Sequence, residues 1–237
     1  MTSSATAREK HGEVPGDGPP GAGPVLRIEF FHDVLCAFCY ALSPRLRRLV
    51  ADDPTIQIVH RSFALAATPA HLVGMFGSPT AAKEQILGHW RVANANDDEH
   101  RMRPELMASR PFPYPHSLPG LLACEAARRQ AGEAGYWDML DQVQRAHLTD
   151  CRDIVDPVTL RDCADAAGLD VPRWEADVAS ESTRRAVDAD IAAAAAYGIT
   201  GVPFLVAQGA YGLSGAVPYE QVQAWVDAVR ARVGQGS

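Results

Sequence analysis

The stretch VLRIEFFHDVLCAFCYAL, residues 25–42, restricts the fold more than any other part of the chain. Its first eight residues are rich in β-branched and aromatic side chains, which reads as a short buried strand. Two cysteines follow, Cys36 and Cys39, with two residues between them. Leu42, Leu46, Leu49 and Val50 then recur at helical spacing, so a helix is expected over about 36–50, stopped by Pro54. IQIVHRSFAL (56–65) supplies a second strand, giving a β-α-β opening with the cysteine pair at the first strand-to-helix junction.

From about 66 to 198 the signals are helical. The segment RPFPYPHSLPG carries Pro111, Pro113, Pro115 and Pro119, cannot be regular helix, and is expected to join two helical pieces. Helices are expected at about 120–131, 135–148, 157–167, 172–179 and 182–197, with Asp156-Pro157 as an N-terminal cap and Gly198 as a C-terminal one. Strand patterns return at PFLVAQ (203–208) and YGLSGA (211–216) with Gly209 at the turn, before a last helix over about 218–232. Residues 1–24, rich in Gly, Pro, Ser and charge, read as a disordered leader.

With 237 residues and 47% hydrophobic content, the chain can bury a core without staples. Five cysteines is an odd count, so a complete disulfide framework would leave a thiol over. The N-terminus has no apolar signal core, and no window approaches the roughly 18 apolar residues of a membrane span. A cytoplasmic protein is expected, with no membrane partner. There a CxxC points to transient redox chemistry or to metal. The net charge of −7 disfavours nucleic acid, and Arg45, Arg47 and Arg48 fall on one helix.

By itself the CxxC admits a redox pair, half of a zinc site, or two buried thiols. A cysteine where a helix begins meets unpaired N–H groups and the positive end of the helix dipole, which favour its thiolate. Cys36 has that position. Cys39, one turn deeper, can reach its sulfur and is the natural resolving thiol. A zinc site would need a second ligand pair, for which His147 and Cys151 are the best available. Far downstream, Pro203 in YGITGVPFLV opens a strand after Gly201 and Val202, where a proline can be cis.

Taken together, a strand, a CxxC at a helix start, and a distant GVP before a hairpin and a closing helix resemble the thioredoxin fold. With 163 residues between Cys39 and Pro203, a helical domain must be inserted, an organisation similar to the DsbA family of thiol-disulfide oxidoreductases. The likeness is strongest to the FrnE-like branch, through DVLCAFCY (33–40), residues 116–170, ITGVPFLV (199–206) and YGLSGAVPYE (211–220). It implies an α/β, thioredoxin-like fold divided into 25–66, a helical insertion over 67–190, and 191–237. It also implies Cys36 as nucleophile, Cys39 as resolving thiol, and Val202-Pro203 as a cis-proline loop whose backbone pairs with an extended substrate. No bound cofactor or metal is implied; the redox group is a Cys36–Cys39 disulfide, with protein or small-molecule thiols as partners and glutathione as a candidate co-substrate. Ala37 and Phe38 replace the Pro and the aromatic or His common in this branch, which leaves the direction of catalysis open.

Neighbouring residues carry further expectations. His32 could stabilise the Cys36 thiolate as an imidazolium and Asp33 could oppose it or organise the turn. Glu29 could shuttle the proton of Cys39 or belong to a salt-bridged face with Arg27. Phe38, Tyr40, Phe63 and Phe112–Tyr114 could line an apolar substrate groove or pack as core. Cys124 and Cys163 read as core, and Cys151 could form a second disulfide with either. The competing functions are a glutathione-dependent kappa-type transferase or isomerase, which usually has serine where Cys36 stands, and a non-catalytic metal-binding module.

Overall fold

A computed structural model describes residues 25–235; the segment 1–24 expected as a leader lies outside them. The chain opens with strand β1 (Leu26–His32), helix α1 (Ala37–Asp52) and strand β2 (Ile56–Ser62). β1 and β2 pair in parallel, Phe30 opposite His60, a pairing that needs the crossover α1 provides. Everything between β2 and the next strand is helical: α2 (Pro69–Phe76), α3 (Pro79–Asn96), α4 (Pro104–Ser109), α5 (Ser117–Gln144) with a π-helical turn at Arg145–Thr149, α6 (Pro157–Ala166), α7 (Val171–Val178) and α8 (Glu181–Ala196). The hairpin β3 (Phe204–Ala207) and β4 (Tyr211–Ser214) and helix α9 (Tyr219–Gly234) close the chain. β3 returns antiparallel to β1, and the sheet order is β2-β1-β3-β4.

Local sequence accounts for most boundaries. Thr68, Ser78, Asp156, Asp170 and Ser180 each accept a first-turn N–H at the start of α2, α3, α6, α7 and α8, and the first four are followed by a first-turn proline. Gly198 has φ +69° and ends α8 in the left-handed conformation that glycine adopts without a Cβ clash.

Three expected boundaries are corrected, while the helices expected at 120–131 and 135–148 are found as the two pieces of α5, separated where Ala131 and Gly132 leave helical geometry, the latter at φ +63°. Pro119 lies inside the first turn of α5, where a missing N–H is harmless. The second strand stops at Ser62 because the next residues turn toward the cysteines: Phe63 N–H donates to the His32 carbonyl and Leu65 N–H to the Asp33 carboxylate. The last strand stops at Ser214, before Gly215 at φ +91°. Among the described residues, no helix is long and apolar enough to cross a membrane.

Strand alternation gives the sheet two different faces. Ile28, Phe30 and His32 of β1 face the main core with α1 and α5, whereas Phe31 packs with Ala194 and Ile199 at the α8 end.

Candidate active site

The turn from β1 to α1 is fixed by Asp33. Its carboxylate is buried and accepts from Leu35 N–H at 2.9 Å, Leu65 N–H at 2.6 Å and Ser117 Oγ at 2.6 Å. Its carbonyl receives Cys36 N–H at 3.1 Å and Gln144 Nε2 at 3.2 Å. One side chain therefore joins the strand end, the chain after β2 and the start of α5. Burial raises the carboxyl to a pKa of about 6 against those donors. Of the two roles expected for Asp33, the organisation of the turn is what this geometry provides.

Cys36 is the N-cap of α1, in extended conformation (φ −79°, ψ 108°), and its Sγ receives the N–H of Cys39 at 3.4 Å. A helix N-terminus therefore points a backbone donor at this sulfur. The helix begins at Ala37, so Cys36 is the cap and not a first-turn residue. The Cys36 thiol donates in turn to the Val202 carbonyl oxygen at 3.4 Å, across 166 positions of sequence. The Val202–Pro203 peptide is cis, and the Pro203 carbonyl is held by Gly215 N–H at 2.9 Å. Cys39 is fully buried, and burial, followed by the hydrogen bond to Cys36, pushes its thiol well above the ordinary range. Cys36 is 6% exposed. All five cysteines are free thiols here.

The remaining candidates separate. His32 is fully buried against Phe30, His60 and Tyr136. Burial, with the nearby His60 and Arg128, holds its pKa well below the usual value, so it is a neutral imidazole and supplies no imidazolium to Cys36. Glu29 lies on the opposite face of β1, where it receives Arg61 at 2.6 Å and Tyr197 Oη at 3.0 Å, with Arg27 at 3.5 Å. Its place is the salt-bridged face, away from Cys39, and the proton-shuttle expectation is corrected accordingly.

Phe38, half-buried on α1, does face a cavity beside Cys36 of about 280 Å³. Tyr114 shares it; Tyr40, Phe63 and Phe112 do not. Tyr40 hydrogen-bonds Thr149 Oγ1 at 3.0 Å beneath the Arg101 guanidinium, Phe63 packs with the Phe31 cluster, and Phe112 lies against Lys83. The cavity wall from α2 and α3, including Leu72, Phe76, Ile86 and Trp90, was missed by sequence reasoning. The signal was present in the dense apolar run PAHLVGMF and in the one-turn spacing of Ile86 and Trp90.

Cys124 and Cys163 are buried in the core as expected. Cys151 is also buried, not in an open polar loop: its thiol donates to the Arg103 carbonyl at 3.3 Å, and no disulfide joins it to Cys163 or Cys124. His147 is bonded to Tyr114 Oη at 3.1 Å, so the pair proposed to complete a zinc site is engaged elsewhere. Among the described residues, no three His, Cys, Asp or Glu side chains gather as a metal site.

A β-α-β unit with a CxxC capping its helix, faced by the residue before a cis-proline that leads into an antiparallel hairpin, defines the thioredoxin class. The thioredoxin family model matches residues 30–211, and the chain belongs to that family. Its fold is the DsbA-like form with a helical insertion. The crystal structure of a probable DsbA oxidoreductase from Streptomyces coelicolor is 28% identical, covering 88% of this chain and 90% of that one, with a TM-score of 0.66. The cytosolic disulfide reductase DsbM of Pseudomonas aeruginosa, also solved with GSH, shares the fold at 19% identity and a TM-score of 0.69, covering 89% of this chain and 100% of DsbM. A curated relative, the ClpXP adapter protein SpxH of Shouchella clausii, is 27% identical over 168 residues, 70% of this chain. The chain spans about half of that relative's length, 52%.

Proposed function

We propose that the protein is a dithiol-disulfide oxidoreductase of the FrnE-like branch, with Cys36 as nucleophile and Cys39 as resolving thiol. The observation that carries this reading is the environment of Cys36 Sγ, which receives the Cys39 N–H at the start of α1 and lies 3.4 Å from the Val202 carbonyl. A backbone donor aimed at the sulfur suits a thiolate, and the adjacent Val202 backbone offers an edge against which an extended polypeptide can lie.

In the reducing direction, the Cys36 thiolate bonds to one sulfur of a substrate disulfide as that S–S bond breaks and the other sulfur leaves as a thiolate. Cys39 then bonds to Cys36 Sγ, its proton passing to the departing thiolate, and the substrate leaves with both electrons. Oxidation runs the same steps in reverse. Burial, followed by the hydrogen bond to Cys36, raises the Cys39 thiol well above the ordinary range, which favours its protonated form in the reduced pair. Polypeptide and low-molecular-weight thiols are both candidate partners, and the DsbM structure with GSH supports the second.

Trapping tests the assignment. Cys39→Ser incubated with a disulfide substrate accumulates a mixed disulfide on Cys36, visible by mass spectrometry as a reductant-sensitive adduct, and Cys36→Ser accumulates none. Adducts that persist in Cys36→Ser would move the nucleophile elsewhere.

A further inference from the structure

One buried hydroxyl beside the cysteine pair is held by two nitrogens. Tyr114 lies in the chain between α4 and α5, and its side chain forms part of the wall of the cavity that holds Cys36. Trp90 Nε1, from α3, donates to Tyr114 Oη at 3.1 Å. His147, on the π-helical turn after α5, places Nε2 at 3.1 Å from the same oxygen. An indole nitrogen can only donate, so the direction of the second bond decides where the tyrosine proton goes.

The imidazole settles that direction. His147 is fully buried, and burial holds its pKa at about 3, so the ring is neutral and carries one proton. Its Nδ1 has no hydrogen-bond partner among the described residues. A proton on Nδ1 would bury an N–H without an acceptor, whereas a proton on Nε2 leaves Nδ1 a bare lone pair. Buried N–H groups without an acceptor are the rarer defect. Nε2 therefore donates, Tyr114 Oη accepts from both nitrogens, and no acceptor among the described residues receives the tyrosine proton. Trp90 and Tyr114 both stand in the wall of the cavity that holds Cys36 and Val202, which is where that proton has room to point. Burial, with Asp33 and Cys36 among the nearby charges, pushes the phenol far above its ordinary range, so the proton stays on oxygen and is offered as a hydrogen bond.

We infer that Tyr114 is the hydrogen-bond donor to the sulfur that leaves when Cys36 attacks a disulfide. As the bond from Cys36 to one substrate sulfur forms and the substrate S–S bond breaks, the electron pair of the broken bond goes to the departing sulfur. The Tyr114 O–H, fixed in place by Trp90 and His147, meets that charge and keeps its own proton. Once released, the thiolate takes its proton from water. The inference rests on the disulfide-exchange reading above and adds a residue to its chemistry.

Leaving-group dependence tests it, because a donor to the departing sulfur matters most for thiols that hold negative charge poorly. The reduced full chain is assayed with dithiodipyridine, whose thiol is acidic, and with hydroxyethyl disulfide, whose thiol is an ordinary alkyl one. Tyr114→Phe, which keeps the ring and removes the hydroxyl, is expected to slow reduction of the hydroxyethyl disulfide about tenfold more than reduction of dithiodipyridine. His147→Leu removes one donor to that hydroxyl and is expected to act in the same selective direction by a smaller factor. Nitrogen NMR of the His147 imidazole in the wild-type protein, which depends on no variant folding, is expected to find the proton on Nε2. Equal slowing of both disulfides by Tyr114→Phe, faster reduction of hydroxyethyl disulfide by His147→Leu, or a proton on Nδ1 would overturn the role of Tyr114 while leaving the redox chemistry standing. Absence of exchange with either disulfide in the wild type would overturn the redox reading, and the role of Tyr114 with it.

Discussion

The two faces of the central sheet handle buried polar groups in opposite ways. On the α8 face, Arg61 bridges Glu29 and Asp190 at 2.6 and 2.8 Å, Asp190 also receives Ser62 N–H at 3.1 Å, and Tyr197 completes Glu29. On the face that carries α1 and the cysteines, the Nδ1 and Nε2 atoms of His32, Nε2 of His60 and Oε1 of Gln144 are buried without a hydrogen-bond partner among the described residues. The first face is a network in which every charge has a counterpart. The second is aromatic packing with polar atoms left over, close to the strand end from which the cysteine turn departs. Polar character next to the CxxC thus says little about tuning: the satisfied carboxylate, Glu29, is on the other face, and the adjacent histidine, His32, is neutral.

Removing one member from each face has opposite expected signs. Arg61→Met removes the shared cation from two carboxylates that are nearly inaccessible, with side-chain exposures of 7% for Glu29 and 5% for Asp190, leaving them Tyr197, Arg27 and the Ser62 N–H, and is expected to cost about 3 kcal/mol in chemical denaturation. His32→Leu replaces an imidazole whose two nitrogens have no partner by an apolar side chain, and is expected to leave stability unchanged or raise it by about 1 kcal/mol. A loss above about 2 kcal/mol for His32→Leu would show that the imidazole is satisfied after all and would remove the contrast.

The pH dependence sharpens the same contrast by a smaller amount. Burial lowers His32 from 6.5 in the folded chain, so its contribution is present above pH 6.5 and is lost as pH falls below that value. His32→Leu is therefore expected to flatten the loss of stability on the acid side of 6.5. Asp33 has the reverse sign. Raised from 3.8 to about 6, it contributes fully below pH 3.8 and loses that contribution as pH rises through about 6. Asp33→Asn is expected to remove that decline, whatever constant offset the lost carboxylate adds, and denaturation midpoints measured across this range check both variants.

The β-α-β opening, the hairpin and the closing helix were legible in the sequence because short apolar runs and capping residues act locally. The break between the two pieces of α5 was legible as well, at Gly132, whereas the start of α5 at Ser117, ahead of Pro119, was not. The cysteine positions were legible from the CxxC at a helix start, and their relation to Val202 from the GVP just before the strand that returns beside β1. Glu29 and His32 show where sequence proximity misleads. Strand alternation sends Glu29 to the α8 face, and burial, which depends on α5 and β2, decides the charge of His32. The cavity wall was hidden because α2 and α3 meet α1 only in three dimensions.

The central claim is that Cys36 and Cys39 form the working couple among five thiols. Treating the reduced full chain with a disulfide and mapping cysteine linkages by peptide mass spectrometry tests it most directly. The account predicts that two thiols disappear per chain, that the new bond joins Cys36 to Cys39, and that Cys124, Cys151 and Cys163 remain free. A bond involving Cys151, or five thiols persisting while substrate is consumed, would contradict it.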